Sequence, residues 1–247
     1  MSNICGQNSK KQVLNNSESR LRAIYDRNEF RAKRLRANWL PDGSGYTVLE
    51  PDNESQKQLL VRYELANGNR TVIDSSLKEE NLKLENISPD GKRILYYQQG
   101  NLHVRDVRSN RTIQITEDGT ADVISNGNAV WSPDGKRIAY VQRDQSNVRL
   151  RPTLVPSDPT YPEVKSVRYA RVGDTIASLR VGIVDATGGN TRWLSILAPA
   201  EGYYLGQVSW AENSDEVLVE KLSRGRDERE FLIADVRTGA INRIYHE

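Results

Sequence analysis

The chain holds one cysteine, one methionine, two histidines and two phenylalanines among its 247 residues. The single thiol, Cys5, excludes an internal disulfide and any zinc centre built on clustered cysteines; it reads as a free thiol near a terminus. No stretch of about 18 consecutive apolar residues occurs, so no membrane-spanning helix is expected. The opening MSNICGQNSKKQ lacks the apolar core of a signal peptide. That leaves the compartment open: a cytosolic chain, a mature form and a fragment all fit. Walker A, G-x-G-x-x-G, H-E-x-x-H and EF-hand patterns are missing, so no cofactor or metal is expected. G-x-S-x-G is missing too, which removes the nucleophile elbow of an α/β-hydrolase. His103 falls within a strand pattern and reads as a packing residue, and His246 lies one residue from the end. Neither has a serine and an acid arranged around it, so no catalytic residue is assigned. The five Asn-x-Ser/Thr sequons, at Asn15, Asn53, Asn69, Asn86 and Asn110, are what a chain rich in asparagine and serine produces by chance.

The net charge is only +2, but it is unevenly spread. Nine basic residues stand against three acids before residue 37, and the remainder is net acidic. A basic run can be a nucleic-acid footprint. Here no aromatic platform or nucleic-acid motif accompanies it, so no nucleic-acid partner is expected. The segment 1–36 reads as a partly helical arm, packed through Leu21, Ile24, Tyr25 and Phe30.

A repeated turn dominates the rest. WLPDGSGYTVL begins at Trp39, ISPDGKRILY at Ile87 and WSPDGKRIAY at Trp131. In Ser132-Pro133-Asp134-Gly135 each residue suits its turn position: serine first, proline with its fixed φ second, aspartate third and glycine fourth. Each copy therefore reads as a tight hairpin. A degenerate fourth copy, VSWAENSDEVLVE from Val208, keeps Trp210 but carries Glu212-Asn213-Ser214 in place of Pro-Asp-Gly. Every hairpin is followed by a second one: LLVRYELANGNRTVI, LHVRDVRSNRTIQI, VGIVDATGGNTRWLSI and FLIADVRTGAINRIY. Asp106, Asp185 and Asp235 precede the turn in three of these, and Glu64 in the first. An aspartate there can accept backbone N–H bonds and tie the turn.

Four antiparallel strands recurring at such spacing predict an all-β fold, a β-propeller of four recognisable four-stranded blades, partial or half of a ring. The blades lie near 37–74, 85–117, 129–197 and 208–246, within a propeller region 37–247. Trp39, Ile87, Trp131 and Trp210 are expected to fill the gaps between blades. Four blades leave apolar faces and strand edges open unless they close into a small ring or meet a second chain. The third unit is too long: between Tyr140 and Val181 lies a proline-rich insertion. Long loops in compact domains are usually functional or carry structure of their own, so this one reads as an extended arm and the leading partner surface. The pair Glu79-Glu80 reads as solvated surface.

WSPDGKRIAY, then Tyr161-Pro162-Glu163-Val164, VRYARVGD and VGIVDATGGNTRWL resemble, in that order, the N-terminal propeller of dipeptidyl peptidase IV-type serine peptidases. The resemblance runs from Ile24 to Glu247. It implies a propeller of usually eight blades that gates and orients peptides for a following hydrolase domain. The alternative is a stand-alone interaction propeller that has lost peptidase function. The family is typically periplasmic, extracellular or membrane-anchored. Its members carry a glutamate-rich segment before the W-S-P-D-G turn that clamps the peptide amino terminus. Here Asp122-Val123-Ile124 and Asn126-Gly127 match the lead-in, after which Asn128-Ala129-Val130 pass directly to Trp131. No substrate-binding residue is therefore carried over. The resemblance also implies dimer contacts through the arm, Pro156–Gly173. Tyr161, Val167 and Tyr169 would supply apolar contact and Arg168 would reach a partner carboxylate. An arm folded back on its own blade is the other reading. A homodimer through this arm or through open blade faces, or a peptide or protein ligand, completes the expected partners.

Overall fold

A computed structural model describes residues 17–27, 29, 36–40, 42–52, 58–77, 87–155, 160–199 and 201–247. Cys5, Phe30 and Glu79-Glu80 lie outside these residues. The chain divides into two compact units, Met1–Arg36 and Ala37–Glu247. In the first, α1 spans residues 17–25. An Arg22–Glu18 pair one turn apart supports it, and Leu21, Ile24 and Tyr25 are exposed. No helix among the described residues is long and apolar enough to cross a membrane.

The second unit is a succession of antiparallel sheets, each formed from consecutive strands. Blade 1 comprises β1 (Asn38–Trp39), β2 (Gly45–Pro51), β3 (Gln58–Glu64) and β4 (Arg70–Leu77). Blade 2 comprises β5 (Arg93–Gln98), β6 (Asn101–Asp106) and β7 (Thr112–Gln114). Among the described residues its expected first strand is represented by one bridge, Ile87 to Ile94. Blade 3 comprises β8 (Ile124–Trp131), β9 (Arg137–Asp144), β12 (Ser178–Asp185) and β13 (Arg192–Trp193). Blade 4 comprises β14 (Tyr203–Trp210), β15 (Glu216–Ser223), β16 (Arg229–Asp235) and β17 (Ile241–His246). The insertion in blade 3 forms its own ribbon, β10 (Leu150–Val155) paired with β11 (Glu163–Arg168). These are β-propeller blades.

The repeated turn has one hydrogen-bond pattern in blades 2 and 3. The glycine N–H donates to the serine carbonyl, Gly91 to Ser88 and Gly135 to Ser132, both at 2.8 Å. The serine hydroxyl donates to the turn aspartate at 2.6 Å in each copy. The aspartate also accepts from the following lysine N–H, and the arginine N–H closes onto the serine oxygen. Gly91 and Gly135 adopt φ of +70° and +68°, which a β-carbon disfavours. In blade 4 the positive φ moves to Glu212, at +56°. Proline, fixed near −65°, cannot occupy that position, so the altered turn explains the lost Pro-Asp-Gly. Asn213 Oδ1 still accepts from the N–H groups of Asp215 and Glu216.

Three buried apolar layers join successive blades. Leu60, Ile87 and Ile94 join blades 1 and 2. Leu95, Val104, Trp131, Ile138 and Tyr140 are among those joining blades 2 and 3. Val141, Val181, Ile183, Val217 and Val219 belong to the layer between blades 3 and 4. Each such side chain, fully buried, contributes about 1.5–3 kcal/mol. Among the described residues no buried cluster joins blade 4 to blade 1. The arginine after the turn adds a polar pin to two interfaces. Arg93 Nη2 donates to Gly135 O at 2.6 Å with its guanidinium over Trp131, and Arg137 Nη1 donates to Ser214 O at 2.9 Å.

Trp131 and Trp210 occupy blade gaps as expected, the latter donating Nε1–H to Val130 O. Ile87 does so in blade 2, at 3% exposure. Trp39 does not: it is 63% exposed and meets Tyr46 edge-on. Trp131 and Trp210 pack on the preceding blade, and blade 1 has no preceding blade among the described residues.

Candidate functional site

The ribbon β10–β11 leaves blade 3 after Asp144 and returns before Ser178. Its stem is fixed by short-range polar contacts. Asp144 accepts from the N–H and hydroxyl of Ser146. These bonds hold its carboxyl below the usual carboxylate range, with Arg180 and Arg168 adding to the effect. Arg168 Nη1 donates to the carbonyls of Gln145, Ser146 and Val148 at 2.9–3.2 Å. The expected role of Arg168, reaching a partner carboxylate, is therefore replaced at Nη1 by fastening the arm's own base. On the return side, Arg224 of blade 4 donates to Asp174 O at 2.5 Å and Glu201 O at 3.0 Å. Tyr203 Oη donates to Leu179 O. A cavity of about 420 Å³ lies among these groups, walled by Ile176, Leu179, Pro199, Tyr203 and Arg224.

Beyond the stem the ribbon stands exposed on both faces. Register places Leu150, Pro152, Leu154 and Val164 on one face, together with Ser166 and Arg168, because directly paired residues share a side. Leu150, Leu154 and Val164 are each at least 60% exposed. The opposite face carries Arg151, Thr153, Lys165 and Val167, with Arg151 over the Tyr169 ring. Tyr161, Val167 and Tyr169 are all exposed. The sequence reading missed Leu150, Leu154 and Val164. Their signal was the alternation in LRPTLV, which is a strand's period, masked by the surrounding prolines.

A second polar constellation joins blades 2 and 3 around Asn126 and Gln142. Asn126 and Gln142 are each 2% exposed. Asn126 Nδ2 donates to Asp118 at 3.0 Å and to Thr116 at 3.1 Å. Gln142 Nε2 donates to Asp118 at 2.6 Å and Asn126 at 3.0 Å. Asn101 Oδ1 accepts from Thr116 Oγ1 and Gly119 N. A network this complete fixes the blade interface, because each buried polar group has a partner.

The histidines stand apart from any such arrangement. His103 stacks on Tyr96 at 5.2 Å, and His246 lies 4.0 Å from Glu228. Among the described residues no group of three His, Cys, Asp or Glu is placed to hold a metal.

Residues 52–247 match the family model described as the dipeptidyl peptidase IV (DPP IV) N-terminal region. The chain belongs to this family. A probable dipeptidyl-aminopeptidase B of Pyrenophora teres f. teres is 25% identical over 217 residues, covering 72% of this chain and 23% of the relative. A probable dipeptidyl peptidase 4 of Aspergillus clavatus is 28% identical over 182 residues, covering 63% and 23%. An inactive dipeptidyl peptidase 10 of Mus musculus is 25% identical over 174 residues, covering 63% and 22%. The chain thus spans less than a quarter of these relatives. In fold it is similar to the crystal structure of Porphyromonas gingivalis dipeptidyl peptidase 4, with a TM-score of 0.63 at 18% identity, over 88% of this chain and 33% of that one. In this member of the DPP IV N-terminal region family the ribbon is the feature that departs from a plain four-stranded blade.

Proposed function

We propose that this chain is a non-catalytic β-propeller portion of a dipeptidyl peptidase IV-like protein, one that orients and gates peptide for a hydrolase domain. The family match carries this reading. The sequence supplies no nucleophile elbow, and His103 is committed to stacking on Tyr96. The direct Asn128–Trp131 passage, without a glutamate-rich segment, argues against amino-terminal clamping by these residues. The test is hydrolysis of Gly-Pro and Ala-Pro amides by the purified chain. The reading expects no turnover above background. Turnover that persists through repurification, and is blocked by a serine-directed inhibitor, contradicts it.

A second reading, an interaction propeller without peptidase function, is favoured by the ribbon. Its face of Leu150, Pro152, Leu154 and Val164 is apolar and solvent-facing on a stem that Arg168 and Arg224 hold in place. An exposed apolar patch on a preorganised element is a docking surface. A second copy of the chain suits it, since ribbons of this kind can pair face to face.

A further inference from the structure

Arg180 on β12 is exposed, yet its guanidinium is not mobile in the manner of a surface arginine. Its Nε–H donates to Gln142 Oε1 at 2.7 Å, and its Cζ lies 3.8 Å from the centre of the Trp193 ring. Gln142 is buried and cannot swing away, because its Nε2 is committed to Asp118 and Asn126. Trp193 is fixed in turn by edge contact with Tyr140, at 5.7 Å. Gly182 makes that contact possible: a β-carbon there would lie 2.6 Å from Thr191 Cγ2 and 3.0 Å from both rings. The guanidinium plane is thus set by an aromatic face and one buried amide. Among the described residues no hydrogen bond or ion pair engages Nη1 or Nη2.

We infer that Arg180 is a preorganised carboxylate-binding site, whose Nη1 and Nη2 receive the two oxygens of a peptide carboxylate while Trp193 supports the guanidinium face. The planar fork of arginine matches the spacing of carboxylate oxygens. Holding it before binding removes the ordering cost that a free side chain carries. Asp144 attracts Arg180 through space, but no acid among the described residues forms an ion pair with it. Asp118 accepts from Asn126 and Gln142, and Asp144 accepts from Ser146. This site is distinct from the ribbon, and its ligand end differs from the amino terminus that a glutamate clamp holds.

The experiment follows the Arg180 Nε–Hε and Trp193 indole N–H resonances of the full 247-residue chain during titration. The probes are N-acetyl-glutamate amide, N-acetyl-glutamine amide and N-acetyl-alanyl-alanine with a free C-terminus. The expected result is a saturable shift of both resonances with the carboxylate probes and none with the glutamine probe. The tighter carboxylate probe then names a side chain or a C-terminus as the source. In Arg180→Lys, with the remaining spectrum unchanged, affinity read at Trp193 falls at least about tenfold, since a point charge loses the paired bonds. Equal shifts with the glutamine probe, unaltered binding in Arg180→Lys, or no shift of Arg180 with any carboxylate overturns the proposal.

Discussion

Glu230 shows how single side chains tune this molecule. It bridges Arg243 at 2.9 Å and Lys221 at 3.0 Å. The Arg243 bond, followed by the Lys221 bond, holds its carboxyl below the ordinary value of 4.5. A carboxyl with a depressed folded value stabilises the fold above its unfolded value and loses that contribution as pH falls through the folded one. Stability to urea should therefore fall as pH drops below 4.5, and Glu230→Gln should flatten that part of the profile. A profile unchanged by the substitution contradicts the assignment. At the same scale the turn aspartates were legible in the sequence, but not all in the same role. Asp106 and Asp235 accept the N–H groups of Ser109 and Thr238, as their position before a polar turn implies. Asp185 instead faces Arg137 at 3.9 Å, a contact across a sheet that no local spacing encodes.

At the scale of elements, the account rests on blades stacking through apolar layers with arginine pins. Ile138 is fully buried between blades 2 and 3. Ile138→Ala should cost about 2–5 kcal/mol, read as a lowered denaturation midpoint. Arg137→Ala removes the bond to Ser214 O between blades 3 and 4. Because the side chain is partly solvated, the expected loss is smaller, about 1–2 kcal/mol. If Arg137→Ala costs as much as the core substitution, the pin and not the apolar layer dominates that interface. The four blades were legible because turn, strand and turn recur in one order. Two departures were not. Among the described residues the first strand of blade 2 is represented only by the Ile87–Ile94 bridge, and Trp39 stays exposed. The exposure of Trp39 depends on which neighbour its blade meets, which a repeat pattern does not contain. The inserted arm was visible as excess length, but its apolar face became visible only once register placed Leu150, Leu154 and Val164 together.

The unit Ala37–Glu247 is a run of stacked blades from which one ribbon projects with apolar side chains in water. Here the buried polar groups Asn126 and Gln142 tie blades 2 and 3 together and hold Arg180, while the solvent-facing apolar groups lie on the arm. On the proposed reading the chain acts through surfaces, and the ribbon is the surface offered to a partner. Size-exclusion chromatography with light scattering on the purified chain and on the Leu154→Lys/Val164→Lys double variant tests this most directly. The account predicts a dimer for the former and a folded monomer for the latter, since charge on an exposed face disrupts docking without touching a core. A monomeric parent chain, or a dimer that persists unchanged in the variant, would contradict it.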